Sequence, residues 1–277
     1  MPVTLKKGPN REAARSMRIS LIHMKIRDTL SKNLAAASAG IMKAAAQKPA
    51  FIALPEYFSV PGCMEDFASA ENIFKETHGE TTKFLSRASK GIPDIYLLGG
   101  TFLEEEDGKF YNTSTVWKNG ELIGKYKKKN PVMAEDKAGV ARGTEAVAIE
   151  TAHCKVGLII CADMFDPDLV KQVVKLGSEV LYLPVAAMGT HPSVKGHPLT
   201  EKVAADNGVF VIKVGNVCSN AKGGRSAVIA PWGILEEVTD VQEDSVVTVD
   251  LDMQRLREYR KKLSKPWPSH PRSGSSR

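Results

Sequence analysis

Three apolar segments of this 277-residue sequence each run straight into a polar residue able to do chemistry. The first is Phe51-Ile-Ala-Leu-Pro55-Glu56. A carboxylate just past a buried strand is costly to desolvate without a partner, and burial raises its pKa toward the range of a general base. A solvated position at the sheet rim is the alternative reading of Glu56. The second segment is Leu122-Ile-Gly-Lys125-Tyr126-Lys127-Lys128-Lys129-Asn130-Pro131. A lysine run is ordinarily a solvated face. This one follows a strand and stops at a proline, so one inward lysine could sit between carboxylates and stabilise a developing oxyanion. The third is Lys155-Val-Gly-Leu-Ile-Ile160-Cys161-Ala162-Asp163. A buried cysteine is most often an inert small hydrophobe. At a strand end before a turn it can instead stand on an elbow, with backbone N–H groups aimed at a reacting carbonyl. Such a thiol needs a base or a lowered pKa. Of the six histidines, His191 and His197 in a Gly/Pro loop are the best placed to pair with a cysteine, and ordinary loop polarity is the competing reading.

These residues need elements to hold them. Residues 18–24 alternate and read as a first strand, and 28–47 as an Ala-rich helix with apolar residues at three-to-four spacing, stopped at Lys48-Pro49. Residues 50–54 form a short buried strand, 71–90 a second helix, and 94–100 a strand ending in two glycines. Asn119-Gly120 between strand-like runs 114–117 and 121–126 is a strong hairpin signal. Strands follow at 146–149, 155–161, 179–184 and 209–214, with helices at 168–176 and 199–207, the latter ending at Gly208. A hairpin around Trp232-Gly233, a strand at 245–251 and a helix at 252–263 complete the pattern. The alternation predicts one α/β domain over residues 17–263 with a mixed sheet, preceded by a polar arm at 1–16 and followed by a flexible Pro/Ser/Arg-rich tail at 264–277.

Composition excludes more than it selects. With 43% hydrophobic and 25% charged residues this is an ordinary globular chain. No apolar run approaches a membrane span, and residues 1–15 lack the apolar centre of a signal peptide. The net charge of +6 is read as a solvated surface, because no aromatic interleaving or recognisable module accompanies it; no nucleic-acid partner is expected. Four cysteines without a CxxC pair give no zinc or thioredoxin-like motif, and free thiols in a cytoplasmic, reducing setting are expected.

Taken together, the three segments resemble the nitrilase superfamily of carbon–nitrogen hydrolases, which uses a Glu–Lys–Cys triad. The resemblance places the base at Glu56, the lysine at Lys128 (through Tyr126-Lys127-Lys128) and the nucleophile at Cys161 (through Gly157, Ile160, Asp163 and Pro167). It extends over residues 17 to 255, through Ala204-Ala-Asp-Asn207 and Gly224-Arg-Ser-Ala-Val-Ile-Ala-Pro231-Trp-Gly233. The family's second glutamate is carried to Glu135, with Asp136 and Glu145 as competitors. Lys127, Asn130-Pro131, Arg142, Ala162 and Asp206 depart from the usual pattern without removing a triad residue. The resemblance implies a four-layer α-β-β-α sandwich and a homodimer or larger homo-oligomer. It also implies cysteine-based hydrolysis of a small-molecule amide, carbamoyl compound or nitrile with no metal or organic cofactor. An acyltransferase on the same scaffold and a non-catalytic binding protein that keeps the fold are the alternatives.

Overall fold

The structure is a computed structural model that describes residues 15–63, 66–186, 197–218, 224–239 and 242–264. The arm at 1–14, the tail from 265 and the loop residue His191 lie outside these.

The period of two along the first strands builds two faces. In β1 (Ser16–Lys25), Met17, Ile19 and Leu21 point into the main core, while Ile22 and Met24 point the other way. The same split occurs in β2 (Phe51–Ala53) and β3 (Tyr96–Glu106): Phe51, Ala53, Tyr96 and Leu98 face inward, Ile52 and Leu97 outward. The outward side chains bury against α1 (Leu30–Ala45) and α2 (Ala70–Lys90) through Ala37, Ile41, Ala44 and Leu85. Each such large aliphatic contributes roughly 1.5–3 kcal/mol by leaving water. Thr29 and Ser69 cap the two helices, accepting from Lys32 N and Asn72 N.

β3, β4 (Lys109–Lys118) and β5 (Glu121–Lys127) form an antiparallel meander, and β13 (Ser245–Asp252) runs antiparallel beside β1. The second half of the sheet holds β7 (Val147–Glu150), β8 (Lys155–Leu158), β9 (Val180–Val185) and β10 (Phe210–Val217), extended by β11 (Ala227–Ala230) and β12 (Gly233–Glu237). Its outer face is covered by α4 (Pro167–Lys175) and α5 (Pro198–Asn207), with Leu169, Val170, Val173, Val203 and Ala204 joining the core. The layers are helix, sheet, sheet, helix, as expected. Asp252 caps the last helix, α6 (Met253–Leu263), which lies beside α5 through Tyr259 to Ala205 O.

One strand links the halves. β1 pairs parallel with β2 along 19–21 and parallel with β10 at Met24 and Lys25. β2–β3, β10–β9 and β9–β8 are parallel too. All these strands therefore deliver their C-terminal ends to the same rim, which is where Glu56, Cys161 and Ala186 emerge.

Two expectations need correction. The strand expected at 155–161 is regular only to Leu158, because the chain turns at Cys161 into a single 3-10 turn, Cys161–Phe165. The strand expected at 114–117 begins at Lys109, closing a hairpin whose turn residues Asp107 and Gly108 both have positive φ. A short helix, α3 (Met133–Ala138), and a two-residue strand, β6 (Val140–Ala141), follow the lysine run. Neither had enough residues to show a period.

Candidate active site

Glu56 leaves β2 at a tightly built corner. Leu54 N donates to Leu98 O, and Thr101 Oγ1 accepts from Tyr57 N, whose residue has φ +49°. Gly100 at φ +63° is needed here: a Cβ on it would lie 2.4 Å from Pro55 O and 2.7 Å from Phe58. Tyr182 reaches across from β9 and clamps the corner. Its hydroxyl donates to Leu54 O and accepts from Gly100 N.

Lys128 sits one residue past β5. Its N–H donates to Asn112 O on the neighbouring β4, at 2.8 Å. Its Nζ donates to Glu56 Oε1 at 2.8 Å and to Glu135 Oε2 at 2.7 Å, and all three side chains are fully buried. Glu135 comes from the first turn of α3, where its carboxylate also accepts from Val132 N. Asp136 and Glu145, the competing acids, lie elsewhere. Asp136 pairs with Arg142 at the surface, and Glu145 is exposed.

Four residues that the sequence reading missed complete the carboxylate shell. Asn112 Nδ2 donates to Glu56 Oε1 (2.9 Å) and to Glu135 Oε1 (2.7 Å). Tyr57 OH donates to Glu135 Oε1 at 2.8 Å. Asn216 on β10 holds the Glu56 backbone oxygen, while Ala186 N, at the end of β9, donates to Glu56 Oε2. Asn216, a polar residue within the apolar strand β10, was the one signal available; Asn112 stands among the polar residues Thr113, Ser114 and Thr115 of β4.

Cys161 has φ +46°, a left-handed conformation that a non-glycine residue adopts only when its surroundings enforce it. Here Asp163 enforces it. Its carboxylate accepts from Ile160 N (2.9 Å), Asn130 N (2.9 Å), Asn130 Nδ2 (3.0 Å) and Tyr126 OH (2.7 Å). The elbow is thereby tied to the segment that carries Lys128. Asn130, a departure from the family pattern, supplies two of the four bonds. Cys161 is 6% exposed, and its thiol lies close enough to Glu56 and Lys128 to feel both charges. His197, one of the two histidines considered as a base, instead meets Lys213.

Burial dominates the electrostatics. It pushes the Glu56 carboxyl up, an effect Glu135 reinforces and Lys128 opposes. Burial also opposes ionisation of Glu135, but Lys128, Val132 N and Asn112 outweigh it and hold this carboxyl below its ordinary value. For Lys128, desolvation is outweighed by the two carboxylates, so its ammonium is held charged. Burial and the facing Glu56 push the Cys161 thiol up, and it rests protonated. The arrangement holds a fixed cation, a fixed carboxylate, and a second carboxylate poised to take a proton from a neutral thiol.

This chain belongs to the carbon–nitrogen hydrolase family, whose description matches residues 18–261, and it is an enzyme of that class, a carbon–nitrogen hydrolase. Among its relatives, omega-amidase NIT2 of Homo sapiens is 31% identical over 262 residues, covering 90% of this chain and 93% of that protein. Omega-amidase NIT2-B of Xenopus laevis is 31% identical over 260 residues, covering 89% and 92%. The fold matches Saccharomyces cerevisiae Nit3, a member of branch 10 of the nitrilase superfamily, with TM-score 0.77 and 24% identity over 94% of this chain and 97% of that one. An amidase from Nesterenkonia sp. matches with TM-score 0.71 and 23% identity, covering 89% and 94%.

Proposed function

We propose that this enzyme is a small-molecule amidase that works through a thioester on Cys161, with Glu56 as base and acid, Lys128 as oxyanion partner and Glu135 holding Lys128 charged. The observation that carries the reading is the placement of Lys128 Nζ within 2.8 Å of both buried carboxylates, beside a buried thiol whose ionisation Glu56 opposes and Lys128 favours. The amidase names of the relatives favour an amide over a nitrile or carbamoyl substrate.

Glu56 takes the thiol proton as Cys161 Sγ attacks the amide carbon. The oxyanion that forms is met by the Lys128 ammonium and by a backbone N–H at Ala162 on the elbow. As the carbon–nitrogen bond breaks, Glu56 passes its proton to the leaving nitrogen, and ammonia departs. Water then attacks the thioester, giving a proton to Glu56. The carboxylic acid leaves, and the proton returns to the Cys161 thiolate. The sum is amide plus water to acid plus ammonia. Tyr57 and Asn112 keep Glu135 ionised and aligned, so the Lys128 charge stays fixed through both halves. A homo-oligomer, expected from the family resemblance, is part of the same proposal.

The test is an ammonia-release screen over short amides, carbamoyl amino acids and nitriles, with Cys161→Ala as control. Release from an amide that vanishes in the variant supports the reading. Release only from nitriles or carbamoyl compounds, or acyl transfer to an added amine in place of hydrolysis, overturns it.

A further inference from the structure

Cys63 and Cys218 take no part in the triad, yet they form a buried cluster of their own. Their side chains pack against each other, apart from the three larger apolar clusters. Cys63 is 4% exposed and Cys218 5%, and both are free thiols. Two small hydrophobes filling a gap would look the same in packing alone. The backbone around them is what brings two thiols, rather than any two apolar groups, to one point beside the site.

The cysteines arrive from two different segments. Just past β1, Ile26 N donates to Val217 O at 2.8 Å, which fixes the end of β10 where Cys218 follows. Arg27 O, one residue on, accepts from Gly62 N at 3.2 Å, which fixes the loop where Cys63 follows. Gly62 has φ +79°, and a Cβ there would meet nothing within 4 Å. Its role is the left-handed turn that brings Cys63 back toward β10. Asp66 N donates to Cys63 O at 2.9 Å and closes the turn. Asn33 on α1 holds the approach: its Nδ2 donates to Val60 O at 3.2 Å, and its Oδ1 accepts from Arg27 N at 2.7 Å.

The same two segments are joined once more, at the site. Asn216, two residues before Cys218, donates to Glu56 O at 2.6 Å, and Glu56 stands seven residues before Cys63. A bond between the two sulfurs would close a ring on the Glu56 corner, with the Asn216–Glu56 hydrogen bond as its other side. Side chains in contact have heavy atoms about 4 Å apart, whereas a disulfide holds its sulfurs at about 2.05 Å. Closing the bond draws the two segments together by about 1–2 Å, and the Glu56 corner is attached to both. A reacting group displaced by about 1 Å costs about 100-fold in rate.

We propose that Cys63 and Cys218 are a modification site: a reversible disulfide, formed by hydrogen peroxide, that ties the Glu56 loop to the end of β10 and lowers turnover. One sulfur, as thiolate, attacks a peroxide oxygen. The O–O bond breaks, and the released hydroxide takes up the thiol proton as water. The second sulfur attacks the resulting sulfenic acid, the S–O bond breaks, and a second water leaves. The sum is two thiols plus one peroxide to one disulfide plus two waters. The two sulfurs together lose the two electrons that the peroxide gains. A dithiol reverses the step by exchange through a mixed disulfide. Formation of the bond is independent of the amidase reading, and the loss of turnover rests on Glu56 acting as base.

The test treats the full chain with hydrogen peroxide and digests it without reductant, in the wild type, Cys63→Ser and Cys218→Ser. The wild type is expected to give a peptide pair joined through Cys63 and Cys218, lighter by two hydrogens than the separate peptides and split by dithiothreitol. Cys154, buried in the main core beside Thr151, should stay open to alkylation after unfolding. The wild-type Tm should rise by about 5 °C on oxidation and fall back on reduction. Neither variant should form the pair or gain Tm, and before oxidation both should match the wild type in activity. Oxidation should lower ammonia release by the wild type at least about 10-fold further than release by the variants, which sets aside any oxidation of Cys161. Dithiothreitol should restore that difference. Separate sulfinic acids on the two cysteines, a pair that includes Cys161, or a link between two chains overturns the assignment. This holds in the wild type even where a serine variant fails to fold. A Cys63–Cys218 disulfide that leaves release no lower than in the variants overturns the switch. Where no amide releases ammonia, the amidase reading falls alone, and the joined peptides and the Tm shift still decide the site.

Discussion

The Tyr126 hydroxyl donates to Asp163 Oδ2 at 2.7 Å, and through this bond the strand that delivers Lys128 is fastened to the turn that carries Cys161. Both partners are buried. Tyr126→Phe removes one bond to a charged acceptor and should cost about 1.5–3 kcal/mol of stability. Asp163→Ala also strands the N–H groups of Ile160 and Asn130 and should cost at least about 3 kcal/mol. Urea unfolding measures both. In each variant kcat should fall more than KM rises, because the loosened elbow mispositions the thiol. Full activity in Asp163→Ala would show that the strained conformation at Cys161 needs no such tie.

Lys128 separates two buried carboxylates. Lys128→Met leaves Glu56 and Glu135 facing each other across an apolar chain, with only Asn112 bridging them. The expected loss is about 3–5 kcal/mol, the usual result of removing one member of a buried ion pair. The loss should shrink as pH falls and the stranded carboxylates protonate. Thermal unfolding at pH 8 and pH 5 checks both statements, and a loss that stays constant or grows toward pH 5 contradicts them.

The acid limb of activity should report Glu56. Its carboxyl is raised from the ordinary value of 4.5, chiefly by burial and then by Glu135, against Lys128. The base is lost as pH falls through this raised value, so the limb in kcat/KM lies above 4.5. Glu135→Gln removes a negative charge beside Glu56 and should move the limb of the residual activity to lower pH. Stability follows the opposite group. Glu135 is held below its unfolded value, so its contribution is present above the ordinary carboxylate range and lost as pH falls through the depressed folded value. A limb that stays in place in Glu135→Gln contradicts the coupling.

Gly100 lets the backbone of β3 approach the Pro55–Glu56 corner. Gly100→Ala combines a positive φ with a Cβ 2.4 Å from Pro55 O, and should destabilise by about 2–4 kcal/mol while lowering kcat. Denaturant midpoints together with kcat check this. Lost stability with unchanged kcat would mean that the corner yields without moving Glu56.

The triad candidates could be read because each stands at the end of an apolar strand and the three occur in family order. The single α/β domain could be read from the alternation of strands and helices, and the four layers from the family resemblance. The shell around the site could not. Asn112 and Tyr57 meet Glu135 only because a six-residue helix, too short to show a period, turns Glu135 inward. The stop of β8 at Leu158 was hidden because Ile159 and Ile160 continue the apolar run.

The central claim is a covalent acyl group on Cys161. The most direct measurement is the mass of the peptide containing Cys161, taken from enzyme quenched in acid during turnover of an amide. The expected result is a peptide heavier by the acyl group in the wild type and unmodified in Glu56→Gln, where the carboxylate that takes the thiol proton is gone. An enzyme that releases ammonia with this peptide unmodified, or a Cys161→Ala variant that releases it at the wild-type rate, would contradict the claim.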